Sequence, residues 1–335
     1  MNGREPASPE YVRAWSRRAH GSPLYRLLGY QIAEDAELME VIRRIEHWPP
    51  TNLIFASVQY LLMQGFETPL RNYYASLVND PEAPEGATAP FKEFVLEHRD
   101  WIVENSNRRY TQTNESKRCV ALLPAVWSTG LERFHLVEIG ASGGLNLVMD
   151  HYRYKWDRVE WGPSDSAVIL EAASRGGSPQ PRSIEILTRI GLDLNPIDLD
   201  DPDERSWLLA LIWPEHGDRR TRLEKAIEMA KRVPMEMVEG DATETLPRVL
   251  SSLPERDPVL VMNSMSLMQF GRPQRESLYR TIEEAGSTRP VRRVSFEILA
   301  AGDEWVTIAA DSGRGLAQIG QAHPHGEWIE LYARP

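Results

Sequence analysis

The sequence predicts an α/β protein in which a helical N-terminal domain precedes a doubly wound, mostly parallel sheet. Two observations carry this prediction. Apolar residues recur at helical spacing up to about residue 130, and no strand-like alternation appears before residue 134. Beyond that point, short apolar strands alternate with helical stretches, which is the pattern of a parallel sheet covered on both faces.

Residues 1–130 are predicted to form a bundle of helices that acts as a cap or substrate domain. Ser22 and Asp35 mark the starts of two helices, because their side chains can accept the free N–H groups of a first turn. The other predicted helices are Asn52–Met63, Leu70–Leu77, Phe91–Glu104 and Glu115–Trp127.

Residues 131–335 are predicted to form the sheet domain, with an inserted hairpin and loop at about 152–185. After residue 300 no helix separates the strands, so an antiparallel ending is expected. The strands are expected near residues 136–139, 168–170, 190–193, 235–238, 259–262, 293–298, 305–308, 316–320 and 328–332. The intervening helices are expected near residues 205–212, 220–232 and 274–285.

Composition limits the classes of protein to consider. The chain has 335 residues, of which 41% are hydrophobic and 26% charged, as in ordinary soluble globular proteins. It has no run of about 18 apolar residues, and its first 18 residues lack the apolar core of a secretory signal. A membrane partner is therefore not expected.

Charge and cysteine usage narrow the classes further. The net charge of −11 disfavours binding to a phosphate backbone, so the expected partner is a small-molecule substrate, with a homo-oligomer left open. The single cysteine, Cys119, excludes an internal disulfide and a cysteine-based zinc cluster. It lies in an apolar helical run, which predicts a buried thiol and a cytoplasmic protein.

Several predicted strands end in groups suited to a ligand, and open parallel sheets bind ligands beyond the carboxyl ends of their strands. The turn Gly140–Gly144 can bring backbone N–H groups close to a ligand at a helix N-terminus. Asp193 can accept both hydroxyls of a ribose, and Asp241 can accept from an adenine amino group. Asn263-Ser264 ends the most apolar strand.

In their order these motifs resemble class I S-adenosylmethionine-dependent methyltransferases over residues 134–335. The motifs are Glu138-Ile-Gly140-Ala-Ser142-Gly-Gly144, Gly191-Leu-Asp193, Gly240-Asp241-Ala242 and Asn263-Ser264-Met-Ser266. The resemblance implies a seven-stranded methyltransferase-like sheet with S-adenosylmethionine as cofactor.

The same resemblance assigns roles to the motif residues. Asp193 is implied to bind the ribose and Asp241 the adenine. The residues implied to approach the methionine part are Glu138, Gly140, Ser142 and Gly144. The remaining residues placed at the cofactor are Ala141, Asn146, Leu194, Ala242, Asn263 and Ser264.

Two departures from the methyltransferase pattern keep an alternative open. Ser142 stands where the second glycine usually lies, and the stretch between the first two motifs is longer than usual. A non-catalytic or regulatory protein that retains the fold is therefore the alternative. A nicotinamide site is disfavoured because the Gly-x-Gly-x-x-Gly spacing is missing, and no P-loop lysine follows the turn.

A finer resemblance, over nearly the whole chain, is to the bacterial family known as domain of unknown function 2332 (DUF2332). This resemblance does not imply a reaction. The segments that carry it are Gln112-Thr-Asn-Glu115, Val137–Asn146, Tyr152-Arg-Tyr154, Gly162-Pro-Ser-Asp-Ser166, Gly191-Leu-Asp-Leu-Asn-Pro196, Trp213-Pro-Glu215 and His323-Pro-His-Gly326.

Other polar and aromatic residues are candidates for the substrate side, each with a structural alternative. Asn114, Glu115 and Arg118 either face the substrate or cap the helix that they precede. Tyr152 and Tyr154 point to one face of an extended segment, where they line a pocket or anchor the insertion. The pair Tyr73 and Tyr74 is a further substrate candidate, with packing in the bundle as its alternative.

The two histidines of His323-Pro-His325 invite three interpretations: a metal site, a substrate contact with a general base, or a plain turn between strands. Since the sequence shows no clear third ligand, no metal is predicted.

The predicted reaction is methyl transfer to an oxygen or nitrogen of a small molecule by in-line displacement. Glu115 or His325 would be the base. A metal-dependent oxygenase or hydrolase remains a third class.

Overall fold

The computed structural model describes residues 7–299 and 305–332, and the chain divides into two compact units. Unit 1 consists of the residues up to Thr113 together with Asp200–Glu224. Unit 2 consists of Asn114–Leu199 and the residues from Lys225 onward. The boundary expected near residue 130 therefore falls inside unit 2.

The helices follow the apolar periodicity of the sequence. Ser22 accepts the backbone N–H of Tyr25, and Asp35 accepts those of Glu37 and Leu38, so both residues cap helices as predicted. In chain order the helices are α1 (Pro9–Arg18), α2 (Pro23–Glu34), α3 (Ala36–Arg43), α4 (Pro50–Met63), α5 (Thr88–Glu97), α6 (Arg99–Arg108), α7 (Cys119–Ser128), α8 (Pro202–Ala210), α9 (Gly217–Ala230), α10 (Ala242–Ser252) and α11 (Arg272–Gly286).

Unit 1 is built on the helices α1–α6 and α8, and its core is apolar and aromatic. The Tyr25 ring stacks on that of Phe55 at a centroid distance of 4.3 Å. Two predicted helices differ from the structure. The stretch expected as a helix at 70–77 is a 3-10 helix, Pro69–Tyr73, and the one expected at 91–104 is divided at His98 into α5 and α6.

The described strands form one sheet. In chain order they are β1 (Arg133–Ile139), β2 (Arg153–Trp156), β3 (Val159–Trp161), β4 (Ile169–Gly176), β5 (Glu185–Asp193), β6 (Glu236–Glu239), β7 (Val259–Ser264), β8 (Val291–Glu297), β9 (Val306–Asp311), β10 (Leu316–Ala322) and β11 (Trp328–Leu331). Their order across the sheet is β3-β2-β4-β11-β10-β9-β8-β7-β1-β5-β6. Each predicted strand of the sheet domain therefore corresponds to an observed one.

The prediction of seven strands is wrong, because the described residues contain an eleven-stranded sheet. The insertion accounts for part of the difference. It forms the hairpin β2–β3 and the strand β4, and β4 pairs in parallel with both β2 and β11. Spacing along the chain cannot reveal such a long-range pairing, so the insertion extends the sheet instead of standing apart from it.

The parallel half of the sheet has the strand order of a doubly wound fold. The strands β6-β5-β1-β7-β8 are all parallel, and β9 begins the predicted antiparallel ending. The chain moves outward from β1 first to β5 and β6, then on the other side to β7 and β8. The order therefore reverses between β1 and β7, and the carboxyl ends at such a switch point are the usual ligand position.

The two faces of this half-sheet are covered by different helices. Val137 and Ile139 of β1 point to one face, where they pack with α10 and α11. Since side chains alternate along a strand, Glu138 points to the opposite face, on which α7 contacts β4, β8 and β9. The indole N–H of Trp156 donates to the Val120 carbonyl at 2.9 Å, which ties α7 to β2.

Candidate functional site

The backbone N–H groups of the glycine-rich turn after β1 all donate to acceptors within the protein. The backbone N–H groups of Gly140 and Ala141 both donate to the Leu192 carbonyl, and that of Gly144 donates to Ala141. The Ser142 N–H donates to a carboxylate oxygen of Asp193 at 2.7 Å, and the Gly143 N–H to the side-chain oxygen of Asn114 at 3.1 Å. The prediction that these N–H groups approach a ligand does not describe this arrangement.

The helix expected after the turn is also different. Residues Leu145–His151 form a short 3-10 helix with a kink at Val148. A 3-10 segment of this length has poorer hydrogen-bond geometry and a smaller dipole than a long α-helix. The turn therefore offers no extended helix N-terminus to an anion.

Ser142 occupies the left-handed region, at a φ of +52°, where glycine is usual. Asn114 explains how a serine is tolerated there. Its amide nitrogen donates to the Ser142 hydroxyl at 2.7 Å, while its oxygen holds Gly143. Asn114, proposed as a substrate contact, thus also clamps the turn, and the serine hydroxyl takes part in that clamp.

Packing requires the glycines next to this serine. Gly140 has a φ of +76°, and a Cβ there would collide with Ser266. A Cβ on Gly144 would lie 2.6 Å from the sulfur of Met235. The close approach of the turn to its neighbours is therefore one reason for these glycines, independent of any ligand.

The carboxyl ends of β5 and β6 carry the two predicted aspartates. Asp193 accepts from the backbone of Ser142 with one oxygen and from that of Asn195 with the other, at 2.9 Å. Leu194 beside it is 61% exposed. Asp241 caps α10 by accepting the Thr243 N–H at 2.8 Å, and both aspartates remain partly exposed.

The loop after β7 depends on Glu297, a residue that the sequence reasoning did not single out. Its carboxylate accepts the backbone N–H groups of Ser266 and Leu267 at 2.9 Å and that of Met268 at 3.3 Å. It also accepts from the amide of Asn263 at 2.8 Å, so the side chain of that candidate is committed to the protein. Burial raises the pKa of Glu297, while these hydrogen bonds act against the rise.

Glu138 is fully buried behind the turn. One oxygen accepts from the Asn146 amide at 2.7 Å, and the other has no hydrogen-bond partner among the described residues. The pKa of Glu138 is raised to about 8, chiefly by burial and in part by the Asp193 carboxylate, while Asn146 and Arg118 act against the rise. Asn146 also accepts from the thiol of Cys119, which is buried as predicted.

The two predicted catalytic residues lie together although 210 positions separate them in the chain. His325 Nδ1 is 3.8 Å from a carboxylate oxygen of Glu115, whose side chain is 2% exposed against 45% for His325. The Arg118 guanidinium donates to the Pro324 carbonyl at 3.2 Å, and the backbone of Gly326 lies against that of Lys117. The loop between β10 and β11 therefore contacts the turn that precedes α7.

The tyrosine candidates are core residues. Tyr152 and Tyr154 are fully buried, and their hydroxyls donate to the carbonyls of Leu145 and Met149, both at 2.7 Å. These contacts favour the anchoring interpretation. Tyr73 and Tyr74 belong to unit 1, and Tyr74 is fully buried with its ring edge against Tyr25.

Other features of the described residues concern a metal site, a membrane span and surface clefts. No group of three or more His, Cys, Asp or Glu within residues 7–299 and 305–332 could hold a metal ion, and His323 contacts the backbone N–H of His325 instead. No helix in those ranges is long and apolar enough to cross a membrane. Two surface clefts of about 530 and 430 Å³ lie in unit 1, and none of the predicted site residues lines them.

Comparison with known proteins identifies a family without a described activity. No curated protein and no solved structure matches the chain significantly. Residues 11–331 match the family described as "Uncharacterized protein conserved in bacteria (DUF2332)". Because the match extends over nearly the whole chain, the protein belongs to the DUF2332 family, as its motifs predicted.

Proposed function

We propose that unit 2 binds S-adenosylmethionine at the carboxyl ends of β1, β5 and β6 and transfers its methyl group to a small molecule. One observation carries the proposal. Asp193 and Asp241 stand partly exposed at the ends of the adjacent parallel strands β5 and β6, next to the turn after β1, and that turn borders the switch point between β1 and β7. This is where doubly wound folds bind nucleosides through a strand-end carboxylate.

The residues present fit such a cofactor. Each Asp193 oxygen accepts one backbone N–H, and a carboxylate oxygen has a second lone pair free for a ribose hydroxyl. The exposed side chain of Leu194 offers an apolar surface to a purine ring. S-adenosylmethionine carries an ammonium and a sulfonium cation, which suit the acidic groups Glu115, Glu138 and Asp193. When bound, it supplies an electrophilic methyl group.

On the acceptor side, the pair His325 and Glu115 fits a general base with its orienting carboxylate. The more exposed His325 would take the proton of an acceptor hydroxyl or amine. The buried Glu115 would hold the ring in position, as carboxylates do beside catalytic histidines. The net charge of −11 favours a small acceptor over nucleic acid, and a single buried thiol fits a cytoplasmic protein.

A second candidate is a non-catalytic protein that retains the fold. One observation favours it: all five N–H groups of the turn after β1 are satisfied within the chain. These hydrogen bonds hold the turn in its conformation without a ligand, so the fold itself does not require a cofactor.

Isothermal titration with S-adenosylmethionine tests the proposal. We expect binding to the wild type and a loss of about 1–3 kcal/mol in Asp193→Asn, because ribose hydroxyls then lose a charged acceptor. This corresponds to an affinity about 5- to 150-fold weaker. Asp165→Asn, in an exposed loop of the insertion, is the matched control and should bind as the wild type does.

Two results would count against the proposal. No heat of binding at millimolar cofactor, with a folded protein by circular dichroism, would contradict it and favour the non-catalytic candidate. Binding that Asp193→Asn leaves unchanged would show that the ribose lies elsewhere.

A further inference from the structure

A second property of the site follows from the burial of Glu138, one of the acidic groups that suit the cations of the cofactor. Its side chain is fully buried, one oxygen is held by Asn146, and the other has no hydrogen-bond partner in the described part of the chain. A carboxylate in such a place is poorly solvated, so its neutral, protonated form is favoured until a positive charge comes near.

We propose that the cationic cofactor binds in exchange for a proton, which Glu138 gives up to solvent as the ligand enters. The inference rests on the proposed function, since it requires a cation at the carboxyl end of β1. In the exchange, the O–H bond of the Glu138 carboxyl breaks, the proton leaves to the buffer, and the carboxylate remains. No other bond changes.

The surroundings of Glu138 support this exchange because they contain little positive charge. Among the residues that the structure describes, Arg118 is the cation that lowers the pKa of Glu138, and its Nε donates to the Pro324 carbonyl. The thiol of Cys119 and the phenol of Tyr152 stay neutral because burial raises their pKa values well above the ordinary ones. The groups that face Glu138 from the adjoining elements are Asn146, Cys119, Arg118, Tyr152 and Asp193.

The strength of the coupling can be estimated. A unit charge about 8 Å away, at an effective dielectric constant of about 20, lowers a carboxyl pKa by about 1.5 units. Starting from a pKa of about 8, Glu138 is then mostly protonated at pH 7 before binding and mostly ionised afterwards. We therefore expect about half to one proton to be released, and an affinity that rises with pH by up to about tenfold per unit.

The experiment is titration calorimetry with S-adenosylmethionine at pH 7 in phosphate and in Tris, two buffers whose ionisation enthalpies differ. The difference in heat gives the number of protons released. We expect a release of about half to one proton for the wild type and for the control Glu255→Gln, an exposed residue of the loop before β7. Glu138→Gln keeps an oxygen for Asn146 and should release none. The thioether product S-adenosylhomocysteine, which lacks the sulfonium charge, should release fewer.

The possible outcomes separate the two proposals. If the cofactor binds with equal heat in both buffers, or if Glu138→Gln releases as many protons as the wild type, the proton exchange is overturned and cofactor binding stands. If the cofactor does not bind at all, both proposals fail. Should Glu138→Gln not fold, infrared difference spectra of the wild type decide: the band of a protonated carboxyl must disappear when cofactor is added.

Discussion

Two turns flank the switch point of the sheet, and each is held by one acidic side chain. Asp193 accepts the N–H of Ser142 in the turn after β1 and that of Asn195 in its own loop, and Glu297 accepts the N–H groups of three successive residues after β7. Both turns contain a non-glycine residue in the left-handed region, Ser142 and Met265. In architecture the two turns are therefore similar.

The turns differ in exposure, and exposure separates a candidate ligand group from a structural one. Asp193 is partly exposed, so water or a ligand can reach its remaining lone pairs. Glu297 is buried, and its carboxylate already accepts four hydrogen bonds from the protein. The comparison teaches that a carboxylate at a strand end is not by itself a ligand residue, since the same group also serves to close a turn.

The largest effect that would sharpen this contrast is expected from Glu297→Ala. It removes the acceptor of four N–H donors, and buried donors that lose their partner are costly. We expect the free energy of unfolding to fall by about 3–5 kcal/mol, because several donors lose their partner at about 1–3 kcal/mol each when fully buried. Urea unfolding followed by circular dichroism measures it.

Two matched variants make this prediction specific. Glu297→Gln retains one acceptor oxygen and should lose about 1–2 kcal/mol, and Asp193→Ala, whose partners water can reach, should lose less than about 1.5 kcal/mol. Equal losses in Asp193→Ala and Glu297→Ala would remove the distinction between the two turns.

A smaller, pH-dependent effect is expected from Glu138. Its pKa is raised to about 8 in the folded protein, against about 4.3 for an unfolded chain. Between these values the folded state binds more protons, so the free energy of unfolding falls as pH rises, by up to about 1.4 kcal/mol per pH unit. Glu138→Gln should abolish this contribution. Urea unfolding between pH 5.5 and 7.5 checks it, and parallel pH profiles for wild type and variant would contradict it.

The smallest effect is expected at Ser142. Ser142→Gly removes about 1 kcal/mol of left-handed strain but also a hydrogen bond of similar size to Asn114, so thermal stability should hardly change. Ser142→Ala keeps the strain and loses the bond, and should cost about 1 kcal/mol. A glycine variant clearly more stable than the wild type would mean that the serine is a defect in the turn.

Most of the fold was accessible from the sequence because it is encoded locally. Short apolar runs separated by helical periods place the strands β1 and β5–β8 and the helices α8, α9 and α11, whereas α10 was not predicted. Ser22 and Asp35 mark helix starts because capping depends on residues two or three positions away. Glu115 and His325 were named as alternative bases, and the structure brings their two side chains together.

Pairing and burial, in contrast, were decided by the tertiary structure. The pairing of β4 with β11 extends the sheet from eight strands to eleven, and it joins segments that are far apart in the chain. Glu297 was missed because a lone Glu at a strand end has no local signature, and its four donors come from another strand and its loop. Tyr152 and Tyr154 were correctly placed on one face, but only packing shows that this face is interior.

For this protein the sequence by itself determined where strands and helices lie, which polar residues end the strands, and which family the motifs indicate. These properties depend on neighbours within a few positions, as capping and apolar periodicity do. Only the tertiary structure decided which of those polar residues face solvent and which close turns within the chain. That choice depends on partners such as Asn114 for Ser142 and Asp193 for the glycine-rich turn, which folding brings together from distant segments.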